Sequence, residues 1–189
     1  MEPTIEAYNR ISNTDRLGPM RTWAKIEAIM PGFDPKCDLT KFHDLFFLLL
    51  HKGKKLTQKD IYIAFGHENI YDFLSEDTNI SLYNVDHHHD MGYPQGDDDT
   101  AALDQVNCAN WVYHLHKENK LQSYTWIHNV NSIHSSSDIE KFCPYIHTTD
   151  LDVLENIEFD KIFLCASWEW VPLKYEPLFD ILVSAIDKR

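Results

Sequence analysis

The sequence predicts an α/β protein, a three-layer α/β/α sandwich with a mainly parallel sheet, and three observations predict it. Short β-rich runs alternate with stretches of helical periodicity, the pattern of a parallel sheet covered on both faces. The 189 residues suit a single domain, 1–189, with one sizeable core. Polar groups able to bind metal stand at the ends of several strand-like runs, which is where ligands sit in such folds.

Each element follows from local pattern. Residues 1–57 form an N-terminal segment of the same domain; within it "RTWAKIEAIM" fits an edge strand or a short helix, ended by "PGFDP". "LTKFHDLFFLLLHKGKKL" (39–56) reads as a helix closed by Gly53, with Lys52, Lys54 and Lys55 near its negative end. "DIYIAFG" (60–66) is a short strand, followed by the helix-like "HENIYDFLSE". "ISLYNVD" (80–86) is the next strand, and "TAALDQVNCANWVYHLHKENK" (100–120) has helical periodicity. "SYTWIHNV" (123–130), "PYIHTTD" (144–150) and "DKIFLCAS" (160–167) read as three further strands, and "YEPLFDILVSAID" (175–187) as a closing helix.

Composition narrows the function classes. The chain is 43% hydrophobic and 25% charged, as expected of a soluble globular protein. A net charge of -13 argues against a nucleic-acid binder and against a polybasic membrane anchor. Clustered carboxylates around cations would account for part of this excess; a solvated acidic surface is the commoner cause. Cys37, Cys108, Cys143 and Cys165 form no C-x-x-C pair and read as free thiols in a reducing compartment. No signal-peptide pattern opens the chain, and "LFFLLL" (45–50) is far too short to span a bilayer, so a cytoplasmic location is expected.

The candidate site lies at the strand ends. His67 follows "DIYIAFG"; Asp86, His88 and Asp90 lie in and after "SLYNVD"; Asp150 and Asp152 close "PYIHTTDLD"; Glu169 follows "DKIFLCAS". Along an extended chain alternate side chains point the same way, so D-x-H-x-D converges Asp86, His88 and Asp90 and turns His87 and His89 away. Four carboxylates and two imidazoles suit two borderline-hard divalent ions such as Mn2+. An isolated D-x-D is usually a solvated turn; the joint placement of these groups at strand ends favours the metal reading. His87 and His89 read as partners behind the ligands or as surface or packed histidines.

In "FGHEN", "VDHHHD" and "TTDLDVLEN" the sequence resembles the ureohydrolase superfamily of arginases and agmatinases. Carried over position by position, the resemblance implies His67, Asp86, His88, Asp90, Asp150 and Asp152 as ligands of two Mn2+ ions per chain. Asp86 and Asp150 would bridge them, His67 and Asp90 would complete one ion, and His88 and Asp152 the other. The chain departs from the arginase pattern at Gly66 and at Glu155-Asn156, and it lacks the S-G-N-x-H-G element after Asp90 that grips free arginine. "CANW" (108–111), "TTDLD" and "FLCASWEWVP" are similar to a compact branch that includes the peptide arginases, which convert arginine side chains of ribosomally made peptides to ornithine. The resemblance thus implies an arginase-like fold and an arginine-containing precursor peptide as partner; on that mechanism Asp90 would accept and pass on a proton, and Glu169 reads either as the carboxylate that matches the planar guanidinium donors or as an exposed loop carboxylate.

Other readings stay open. "VDHH" also resembles the signature of DHH phosphoesterases, but no D-x-D precedes Asp86 to complete their site, whereas one follows at 150–152. A small-molecule amidinohydrolase or deacylase and a non-catalytic metal-binding protein share the same cluster. Trp111, Trp168 and Trp170 fit a cleft lining or a packed core equally, and spacing does not choose among His128, His134 and His147 as a proton shuttle.

Overall fold

The computed structural model describes residues 39–92, 104–130, 132, 145–167 and 173–187. Four helices and five strands lie within them, in the order α1 (Leu39–Lys52), β1 (Ile61–Ala64), α2 (Asn69–Phe73), β2 (Ile80–Val85), α3 (Trp111–Lys117), β3 (Leu121–Ile127), β4 (Tyr145–Thr148), β5 (Ile162–Cys165) and α4 (Glu176–Asp187), helix and strand alternating as far as β3. Every strand pairing is parallel, as the alternation predicts. The pairings form two sheets, β1–β5 and β2–β3–β4. The chain divides into two compact units, one of the described residues through Gly66 and from Val153 onward, the other spanning His67–Asp152.

The first unit is built on an apolar core. In α1, Phe42, Leu45, Phe46 and Leu49 recur at helical spacing, and Leu49 is buried. His51 and Lys52 lie in the last turn, where cations suit the helix's negative end. Lys52 Nζ donates to Glu155 O at 2.5 Å. In α4, Glu176 occupies the first turn and Pro177 follows it, at a position where a missing N–H costs nothing. β1 and β5 pair Ile61 with Ile162 and Tyr62 with Phe163. Alternation puts Ile61, Ile63 and Ile162 into the core with Leu49, Phe179, Val183 and Ile186, while the rings of Tyr62 and Phe163 stack at 5.8 Å. Each fully buried aliphatic or aromatic side chain of this kind contributes about 1.5–3 kcal/mol.

The second unit carries β2–β3–β4, with Leu82 paired to Tyr124, Asn84 to Trp126, and Trp126 to His147. Tyr124, Thr125, Trp126 and Ile127 are buried in succession, so the end of β3 is covered on both faces. α2 packs against α3, and Ile70, Trp111, Val112 and Leu115 are buried. Helical periodicity over 100–120 predicts a longer helix than the Trp111–Lys117 observed. The reason is local: Asn110 Oδ1 accepts from Asn107 N at 2.8 Å, Asn107 Oδ1 accepts from Ala109 N at 2.8 Å, and Asn110 Nδ2 donates to Gln105 O at 2.9 Å. These bonds offer the backbone an alternative to helix immediately before Trp111. No helix among the described residues is long and apolar enough to cross a membrane.

Candidate metal centre

The centre is built from the loop that leaves β2. The strand ends at Val85, and residues 86–90 bend instead of continuing it. Asp90 has φ 52°, in the left-handed region that Asp tolerates better than most residues. The extended alternation expected of D-x-H-x-D therefore does not hold beyond Val85. Asp86 and Asp90 meet because the loop turns back. His67, at the turn that opens α2, completes the group: its Nδ1 lies 3.1 Å from Asp86 Oδ2 and 3.4 Å from Asp90 Oδ2. One ligand atom from each of the three lies within 4.8 Å of the others. Exposure falls from 23% for the His67 side chain to 15% for Asp86 and 2% for Asp90, so the group points inward from the surface.

Buried aromatic donors fix this loop. Trp126 Nε1 donates to Asp86 O at 3.0 Å, Tyr124 Oη to His89 O at 2.7 Å, and Trp111 Nε1 to Asp90 Oδ2 at 2.8 Å. Asn84 Nδ2 donates to His88 O and to Tyr124 Oη, each at 3.3 Å. Val112 N donates to Asp90 O at 3.1 Å, so the start of α3 holds both the backbone and the side chain of Asp90.

The electrostatics favour a cation. Burial pushes the Asp90 carboxyl up to about 6, against hydrogen bonding from His67 and with added repulsion from Asp86. Asp86 Oδ2 is buried and accepts no hydrogen bond. A carboxylate oxygen left so, beside a second carboxylate and an imidazole, costs free energy that a divalent ion would offset. Two hard oxygens and one imidazole fit Mn2+, Mg2+ or Zn2+. The residues present thus fit a divalent cation, which His67, Asp86 and Asp90 would hold.

The remaining sequence-derived candidates lie outside that group. His88 is half-buried; desolvation lowers its pKa, and Asp86 opposes that shift. His87 is exposed, with Nδ1 3.1 Å from Ser132 Oγ, and its ring meets that of His88 edge-on at 4.8 Å. His89 is 1% exposed, packs against Trp126, and accepts from Met91 N through Nδ1 at 3.1 Å. Asp150 and Asp152 are exposed; Asp150 N donates to Thr148 Oγ1 at 3.1 Å, and Asp152 N donates to Asp150 Oδ1 at 2.9 Å, the local geometry of a turn. His128 is buried and its Nδ1 donates to Asn129 O at 2.8 Å, while His147 is exposed. Glu169, Trp168, Trp170 and His134 lie outside the described residues.

Trp111 is the residue whose role sequence reasoning left undecided between cleft and core. It is a core residue, 2% exposed, whose one polar atom serves a ligand carboxylate. The signal available in the sequence is its place in "CANW", directly after a helix-breaking Asn cluster. Compared with family models, with curated proteins and with solved structures, the chain gives no match in any of the three.

Proposed function

We propose that the chain is a divalent-cation-dependent hydrolase of the ureohydrolase type, which converts peptidyl arginine in a precursor peptide to ornithine and releases urea. The observation that carries this reading is the inward-facing group of His67, Asp86 and Asp90, whose buried Asp86 Oδ2 lacks a hydrogen bond. The chain order of the strand-end motifs supports it, and the parallel strand pairing, with the end of β3 buried on both faces, suits an arginase-like three-layer sandwich. In this reading two Mn2+ ions would be held by Asp86 and Asp150 together with His67 and Asp90 for one and His88 and Asp152 for the other; of these six residues the group seen together is His67, Asp86 and Asp90.

When bound, manganese supplies Lewis acidity that activates water and stabilises developing charge. The chain's residues do the rest. Asp90 takes a proton from the attacking water and returns it to the departing amine. Glu169 receives the planar guanidinium donors. The acidic chain, at a net charge of -13, attracts an arginine-bearing peptide.

The test is urea detection and mass spectrometry with Mn2+ on arginine, agmatine and peptides with internal arginine. The expected result is a loss of about 42 Da from peptides, with kcat/KM above that for free arginine, from urea-forming hydrolysis. Equal or better kcat/KM on free arginine would refute the peptide assignment. Phosphate release from phosphoesters without urea release would favour a phosphoesterase, and cation binding without turnover a non-catalytic metal protein.

A further inference from the structure

Three of the most deeply buried aromatic side chains of the second unit, Trp111, Tyr124 and Trp126, are 2%, 1% and 0% exposed, and each directs its polar donor at residues 86–90. Their targets differ. Trp126 and Tyr124 hold main-chain carbonyls, of Asp86 and His89. Trp111 alone of the three holds a side-chain oxygen, Oδ2 of Asp90, the most buried member of the cation group. An indole N–H is a donor without charge. It can orient a carboxylate without neutralising it, as a lysine or arginine at the same place would, and without competing as a ligand. Val112 N, the next donor along α3, fixes the main chain of the same aspartate. The carboxylate therefore has little freedom left, although its own φ of 52° is an uncommon one for a residue other than glycine.

We propose that Trp111 is a positioning residue of the cation site: its indole N–H holds the Asp90 carboxylate in ligating orientation, so cation affinity depends on this hydrogen bond. This rests on the reading of His67, Asp86 and Asp90 as a cation site and assigns the residue that tunes it. Partners of this kind orient a ligand before the ion arrives, and their loss typically lowers metal affinity about 10–100-fold.

The test uses Mn2+ alone as the probe, in calorimetric titrations of the full chain and of Trp111→Phe and Trp126→Phe, each with a thermal melt in the absence of metal. Both variants keep a buried ring and lose an N–H. Trp111→Phe should weaken Mn2+ binding by about 10–100-fold, and Trp126→Phe, which frees only a main-chain carbonyl, should weaken it less for a comparable loss of melting temperature. Equal affinity of Trp111→Phe and the unaltered chain, or losses that follow melting temperature alike in both variants, would overturn the positioning role and leave the cation site standing. An unaltered chain that binds no Mn2+ would overturn both. If Trp111→Phe does not fold, the indole N–H resonance of Trp111 in the unaltered chain decides: titration with diamagnetic Zn2+ should move it more than the resonances of the other tryptophans, and an unmoved signal at Zn2+ saturation would overturn the proposal.

Discussion

The two units of the molecule bury different things. The first collects Leu49, Ile61, Ile63, Ile162, Val183 and Ile186 into an apolar cluster. The buried polar side chains among the described residues, His89, Asp90, Asn110, His114, Thr125, His128 and Ser132, all lie in 67–152. Burying a polar group costs free energy unless its hydrogen bonds are made. The second unit makes many of them: Asp90 with Trp111, His89 with Met91 N, Asn110 with Gln105 O and Asn107 N, and Ser132 with His87. A core of that kind is less economical than a hydrophobic one and holds side chains in fixed orientations. The first unit's core is apolar, and the second unit's is in large part hydrogen-bonded.

The sharpest way to break this contrast is to remove a ligand. Asp86→Ala takes away the buried oxygen that lacks a hydrogen bond. It should weaken Mn2+ binding by more than about 100-fold, beyond the loss expected for an outer partner, with little loss of melting temperature. Calorimetric titration checks the first effect and a thermal melt the second. The converse change lies in the first unit. Leu49→Ala should cost about 2–5 kcal/mol by denaturant unfolding and leave the Mn2+ affinity of the folded protein unchanged. A parallel loss of affinity would mean that the two cores are not separable in function.

The pH dependence sharpens the contrast further. The Asp90 pKa of about 6 lies above the ordinary carboxylate value, and the protonated acid is a poor ligand. Mn2+ affinity should therefore rise roughly tenfold per pH unit up to about 6 and level off above it. The metal-free fold shows the opposite sign. Its folded state binds the proton more tightly than the unfolded chain, so the Asp90 contribution is present at acid pH and lost as pH rises through about 6. Titrations from pH 5 to pH 8, with melts in parallel, measure both.

The smallest expected effect comes from a polar cluster away from the site. Tyr71 Oη donates to Glu118, which also pairs with Lys120 Nζ at 2.8 Å. Lys120 and Tyr71 together hold the Glu118 carboxyl below its ordinary range, and the bond to Glu118 pushes the Tyr71 hydroxyl up to about 12. A lowered carboxyl stabilises the fold above its unfolded pKa, and that contribution disappears as pH falls through the folded value. Tyr71→Phe should cost about 1 kcal/mol at neutral pH, reduce the acid-side loss, and leave cation binding intact. Urea unfolding at pH 7 and pH 3 reads both.

Much of the fold was legible because its signals are local. α1 and α4 follow from helical spacing of Leu and Phe, and each strand from a short β-rich run. The division of the strands into β1–β5 and β2–β3–β4 was not, because pairing is set by contacts distant in the chain. Of the helix expected over 100–120, the described residues 104–110 are not helical, because the Asn107 and Asn110 side chains bond to nearby backbone; residues 100–103 lie outside the described residues. At the site, motif order led to His67, Asp86 and Asp90. Parity along D-x-H-x-D holds only for an extended chain, and β2 stops at Val85, so the position of His88 could not be read from it. Nor could the donor role of Trp111, since the letters around an indole do not say which acceptor it meets.

Whether His67, Asp86 and Asp90 hold a divalent cation is decided by an anomalous difference map from crystals grown with Mn2+. A manganese peak is expected within coordination distance of His67, Asp86 and Asp90, lost in crystals of Asp86→Ala. A map without a peak at these three residues, or with manganese only beside the exposed Asp150 and Asp152, would contradict it.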